Sequence, residues 1–175
     1  ELFVKEAGRD TFKLFRTYQI AAMSGRLGPK LREGDLQAPE GFYYVPPSRM
    51  NPNSRFHLSF NLGYPNNYDK ASGRTGTHLM VHGNRVSIGC FAMTDPVIEE
   101  IYTLCHAALA GGQKFFRVHS LPFRMTTERM DQARASEWYR FWLNLKQGYD
   151  LFEKNRFPPD ARVENKTYVF RKNGG

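Results

Sequence analysis

Short runs with an apolar residue at every second position, each cut off by glycine or proline, fill the first 120 residues of the chain. The clearest is Phe56-His57-Leu58-Ser59-Phe60-Asn61-Leu62, which predicts a strand with one buried face. Phe42–Val45, stopped by Pro46-Pro47, and Phe115–His119 read as further strands. Leu2–Val4 and Phe12–Ile20 read as two opening strands around a turn at Gly8-Arg9-Asp10. Residues 24–35, rich in glycine and charge, and the polar stretch 64–76 read as loops, the second able to border a cleft. Such runs are too short to stand alone, so they must pair into a sheet around a common core.

Two segments break the pattern. Thr94-Asp95-Pro96 carries a capping side chain, a proline in the first turn and Glu99 and Glu100 soon after. It predicts a helix with a stripe of Val97, Ile98, Ile101, Leu104, Cys105 and Ala108, ended by Gly111-Gly112. From Thr127 to about Lys154, Trp138, Phe141, Trp142, Leu145, Tyr149 and Phe152 recur at helical spacing, an aromatic stripe that reads as core packing. Pro158-Pro159 ends it and Thr167–Phe170 reads as a closing strand. The expected fold is mainly β within the α+β class, with a helix after Cys90 and a helical C-terminal addition. With 175 residues, the chain is expected to be one domain.

The formal net charge of +8 allows an anionic partner, but the lysines and arginines are scattered and match no nucleic-acid motif, so nucleic acid is not expected. No apolar run is long enough to cross a membrane. The chain opens on Glu1 without a basic-then-apolar leader, so an export signal is expected to have been removed. No cofactor motif appears. His78 and His82 lie four apart but in an extended pattern with no third ligand nearby, so no metal site is expected.

Chemistry concentrates in Met80-Val81-His82-Gly83-Asn84-Arg85-Val86-Ser87-Ile88-Gly89-Cys90. Thr77–His82 reads as a strand with Leu79 and Val81 on one face and His78, Met80 and His82 on the other. Cys90 follows after a reversal that Gly83, Asn84 and Gly89 permit. A thiol needs a base for its proton, here His82, and that base needs an acceptor on its far nitrogen, supplied by Ser87 or a carbonyl near Gly83. Amides of Gly89 and Cys90 would form an oxyanion hole. Thiol activation of this kind predicts alkylation of Cys90 at mildly acidic pH. Cys105 sits mid-helix on an apolar stripe and reads as structural, and a Cys90–Cys105 disulfide would silence the nucleophile. A buried structural Cys90 is the competing reading of the same residues.

His82-Gly83 followed by Ser87-Ile88-Gly89-Cys90 resembles the active-site signature of the YkuD-type L,D-transpeptidases of bacterial peptidoglycan. Gly28-Pro29-Lys30, Glu33-Gly34-Asp35 and Pro39-Glu40-Gly41-Phe42-Tyr43 resemble that family's upstream run. Asn51–His57, His82-Gly83-Asn84 and Ser87–Asp95 are similar to its YafK branch. The likeness covers about residues 1–125, leaving about 126–175 as an extension. It implies a periplasmic enzyme with Cys90 as nucleophile, His82 as base, the Gly83 carbonyl as orienting group and Ser87 as the signature serine. The thiolate would attack the carbonyl on the L-centre of meso-diaminopimelate in a stem peptide, giving a thioester. The branch implies hydrolysis that frees the outer-membrane lipoprotein from diaminopimelate. Transpeptidation giving 3–3 cross-links or attaching protein to the wall is the alternative, and a non-catalytic wall-binding module is another.

Ile88 and Ala92 replace the histidine and the Asn or Arg that the broader family carries on either side of the cysteine, and the His-to-Cys spacing is shorter. The diaminopimelate D-centre carboxylate would suit a guanidinium, for which Arg124 and Arg74 are the candidates. His119, Asn84, Tyr64 and Tyr68 are the remaining candidates for the cleft.

Overall fold

The computed structural model describes residues 1–171 and divides into two compact units, residues 17–120 and residues 1–16 with 121–175. It holds ten strands and four α-helices among the described residues. The chain opens in the second unit with the antiparallel hairpin β1 (Leu2–Lys5) and β2 (Phe12–Arg16). The strand expected over Phe12–Ile20 stops at Arg16. Beyond it the backbone leaves this hairpin, and Ala21 and Ala22 donate instead to Ala92 O at 2.8 and 3.3 Å.

Residues 17–120 carry two sheets. β3 (Gly41–Val45) pairs antiparallel with β8 (Phe116–Ser120), Tyr43 opposite Val118. The other sheet has the order β4 (Met50–Ser54), β5 (His57–Asn61), β6 (Met80–His82) and β7 (Phe91–Ala92). Its first three strands are antiparallel, while β6 and β7 run parallel with Val81 opposite Phe91 and His82 opposite Ala92. The alternation read in Phe56–Leu62 holds: Phe60 and Leu62 are buried in the core with Val81 and Leu79. Phe60 meets Phe116 edge-on at 5.1 Å and so ties one sheet to the other.

Within the polar stretch 64–76 lies a short helix, α1 (Asn67–Ala71), closed by a reciprocal cap between Asn66 and Asp69. α2 (Asp95–Ala110) follows β7 and packs on β5 and β6 through Ile98, Ile101, Tyr102, Cys105 and Leu109. Its expected cap differs. Thr94 has φ +72° and makes no side-chain cap, because its amide reaches back to Asn84 O at 3.0 Å, and the Asp95 carboxylate accepts from Asn84 N–H at 2.7 Å. The first turn of α2 is therefore bound to the loop that carries the histidine.

The helix expected over 127–154 is two helices, α3 (Thr127–Gln132) and α4 (Tyr139–Asn155). Between them Ser136 Oγ accepts from Trp138 N–H at 3.1 Å, a local bond that competes with the helical ladder. Phe141, Trp142, Leu145 and Phe152 of α4 are buried, as the aromatic stripe predicts. β9 (Asp160–Glu164) and β10 (Thr167–Arg171) form an antiparallel hairpin against α4, held by Asn144, which exchanges two hydrogen bonds with the Tyr168 backbone at 2.8 and 2.9 Å.

Candidate active site

β6 ends in His82 and β7 follows directly from Cys90, and the parallel pairing of these two strands sets Val81 opposite Phe91 and His82 opposite Ala92, so Cys90 lies at the end of the strand next to β6. Cys90 is half-buried and its Sγ lies 3.5 Å from the Met80 amide, which donates to it, and 3.5 Å from the His78 carbonyl, which accepts from the thiol. Met80 and His82 share one face of β6. Among the described residues no hydrogen bond joins His82 to Cys90.

His82 is almost fully buried and fixed from two sides. Its Nδ1–H donates to the Gly83 carbonyl at 2.5 Å, which directs Nε2 outward as the acceptor. Phe56, from the turn between β4 and β5, lies against the imidazole with centroids 4.7 Å apart. Phe56 also accepts the Gly83 N–H through its carbonyl at 3.0 Å. A Cβ on Gly83 would meet Asp95 Oδ1 at 2.5 Å and Phe56 O at 2.7 Å, so only glycine fits between the histidine and the start of α2.

Ser87 has a different place from the alternative in which it orients the histidine. Its Oγ donates to the Cys90 carbonyl at 2.6 Å and accepts from Gly89 N–H at 3.2 Å. It shapes the turn before the nucleophile, and it directs the Gly89 amide into the loop rather than toward an oxyanion. Gly89 itself has φ +119°, with Gln37 O 3.1 Å from where a Cβ would stand. Asn84 likewise holds the loop, at φ +63° and bonded to Asp95. Ile88 is 79% exposed.

Burial pushes the Cys90 thiol above its ordinary value, against the Met80 amide and the positive charge of Lys30, which pull it down. That direction runs against the expected reactivity at mildly acidic pH. Cys105 is more deeply buried and pushed up to about 12. Both cysteines are free.

The proposed carboxylate clamps fare differently. Arg74 is buried and bonds Asp69 at 2.8 Å, with Tyr68 under its guanidinium at 5.0 Å, so it serves the interior. Arg124 belongs to the other unit, where it is exposed and paired with Glu1. His119 stands edge-on to Phe42 at 4.8 Å, and burial with the Arg117 charge brings it down to about 4, leaving it neutral. Tyr64 does line a cavity, but its hydroxyl donates inward to the carbonyls of Lys30 and Thr75 at 3.1 and 3.3 Å.

That cavity, about 670 Å³, is bordered by His78 and Met80, the two residues that hold the thiol, and by Asn61, Arg49, Asn51 and Lys70. Arg49 and Lys70 carry no local motif that sequence spacing exposes, and Phe56 stands out only as part of an alternating run and of the block 51–57. The reversal at φ +70° of His57, which seats Phe56 over the imidazole, was not legible either.

Among the described residues no cluster of potential metal ligands occurs and no helix is long and apolar enough to cross a membrane. The fold overlaps that of the helical cell shape determining protein Pgp2 from Campylobacter jejuni with TM-score 0.47 and 20% identity, covering 82% of this chain and 62% of that one. The chain is 45% identical over 172 residues to the Escherichia coli (strain K12) protein named "Putative L,D-transpeptidase YafK", covering 98% of this chain and 69% of that protein. The protein of the same name from Escherichia coli O157:H7 matches to the same extent. The profile of the YkuD L,D-transpeptidase catalytic domain matches residues 2–119, which include the whole stretch from His82 to Cys90. With its histidine, glycine, serine and cysteine in the places just described, the chain belongs to the YkuD family of L,D-transpeptidase catalytic domains.

Proposed function

We propose that the protein is a periplasmic cysteine amidase that hydrolyses the bond between the L-centre of meso-diaminopimelate and the lysine of a wall-anchored lipoprotein. What supports the thiol mechanism is a half-buried Cys90 directly before β7, the strand neighbouring the one that ends in His82, whose Nδ1–H is committed to the Gly83 carbonyl. The Cys90 proton passes to His82 Nε2 as sulfur attacks the carbonyl carbon and the C–S bond forms. The imidazolium then gives that proton to the lysine nitrogen as the C–N bond breaks. Water attacks the thioester next, losing a proton to His82, and the C–S bond breaks to leave a carboxylate and the thiol. The Cys90 amide is the backbone donor that would face the oxyanion, since Ser87 engages that of Gly89.

Burial raises the thiol, which supports general-base catalysis over attack by a preformed thiolate. Digestion of lipoprotein-linked sacculi followed by mass analysis of muropeptides tests the reading. Wild type is expected to release lipoprotein and leave tripeptide stems, and Cys90→Ala to release none. Diaminopimelate–diaminopimelate dimers formed from tetrapeptide would make the enzyme a transpeptidase. Sacculus binding with no product would make it a wall-binding module.

A further inference from the structure

The cavity beside the thiol is cationic and has no acid in its wall. Arg49 and Lys70 are its permanent cations, with Asn51, Asn61 and His78 adding further polar groups. Arg49 is held there by the backbone: its Nη1 donates to the carbonyls of Tyr44 and Leu62. The guanidinium lies so close to Gly63 that a Cβ there would overlap it at 1.9 Å, and Gly63 has φ +83°. A guanidinium has five N–H donors, so one pinned through Nη1 keeps those on Nε and Nη2. Lys70 stands in the last turn of α1 and is exposed. Neither cation pairs with a carboxylate among the described residues. The acid beside Lys70 in sequence, Asp69, is buried and turned to Arg74 and Tyr43. Two cations without counterions, one fixed in orientation, form a site for an anion with planar oxygens.

We infer that this cavity is a carboxylate-binding subsite, in which Arg49 and Lys70 hold a free carboxylate of the peptide whose carbonyl is attacked by Cys90. The inference rests on the proposed reaction only for the identity of that peptide. His78 and Met80 form part of the cavity wall and also contact the Cys90 sulfur, so a chain acylated at Cys90 enters the cavity within a few bonds. A diaminopimelate stem offers two such groups, the carboxylate of its D-centre and that of the neighbouring D-glutamate. The site would replace Arg74 and Arg124 as the clamp, and it lies on the same unit as the nucleophile.

Calorimetric binding to the Cys90→Ala protein separates this inference from the hydrolytic reading, because it needs no turnover. The probe is a stem tripeptide capped at its L-centre as an alkylamide, as the free acid and with either remaining carboxylate converted to an amide. Lys70→Gln is expected to weaken the free acid about tenfold. The amide that removes the bound carboxylate should bind about as weakly to the parent protein, and Lys70→Gln should no longer affect it. Whichever amide behaves so identifies the group bound. Arg49→Gln should act in the same direction where its melting curve shows a folded protein, and Lys70, being exposed, keeps the test free of that condition. Equal affinity for acid and both amides, an unchanged affinity in Lys70→Gln, or no binding of the acid at all overturns the subsite. Failure of wild type to release lipoprotein would overturn the reaction and leave these binding results as they stand.

Discussion

One short hydrogen bond and the burial of one thiol bear on what Cys90 and His82 can do. The Gly83 carbonyl takes the Nδ1–H of His82 at 2.5 Å and so assigns Nε2 to accept a proton. Desolvation pushes the thiol up, and the Met80 amide and Lys30 only partly offset it. Alkylation of the free enzyme should therefore rise with pH through and above the usual thiol range, rather than level off in mild acid, with Cys105 inert until far higher pH. Mass mapping of iodoacetamide adducts across pH checks this, and full Cys90 labelling at pH 5 would contradict it. The sequence alone suggested the opposite, because a nearby histidine was weighed and burial was not. Cys90, His82 and Gly83 were legible through their order along the chain. Ser87 was legible as a residue but not in its bonding, since its Oγ closes a turn on its own neighbours.

At the level of elements, the alternation in Phe56–Leu62 and the stripe of α2 survive because one face of each is buried. The short edge pieces β4 and β7 were missed, since they are held by pairing rather than by apolar pattern. The same holds for the loop 24–35, which the sequence marks only as charged. In the structure Asp35 organises it, accepting from Lys30 Nζ at 2.7 Å and from the amides of Leu31, Arg32 and Gln37. Burial alone would raise the Asp35 carboxyl, yet the Lys30 bond and the three amides outweigh it and bring it down to about 2 from 3.8. A carboxyl depressed on folding stabilises the protein above its unfolded value. That stabilisation should fade as pH falls from about 4 toward 2, with a full size of about 2 kcal/mol. Asp35→Asn should lower stability at neutral pH by up to that amount and flatten the acid limb of a denaturation series. An unchanged acid limb would show that the loop does not depend on this charge.

For the whole molecule, the proposed nucleophile Cys90, its proposed base His82 and the cationic cavity all belong to the unit of residues 17–120, and the family profile ends at residue 119. The aromatic stripe of α4 was visible in the sequence because it fills its own unit's core, with Phe123 meeting Trp142 at 5.3 Å and Phe3 meeting Phe152 at 4.8 Å. The charged groups of the cavity were not visible, since the turn that leads into β4 and the last turn of α1 bring them together from positions 49 and 70. What distinguishes the proposed enzyme from a cross-linking relative is the second half of its reaction, where water takes the acyl group from Cys90. Digestion of lipoprotein-linked sacculi in ¹⁸O-labelled water measures that step. One ¹⁸O in the L-centre carboxylate of each newly released tripeptide stem, absent with Cys90→Ala, is the predicted result. Release without label, or with the acyl group carried onto an amine, would contradict it.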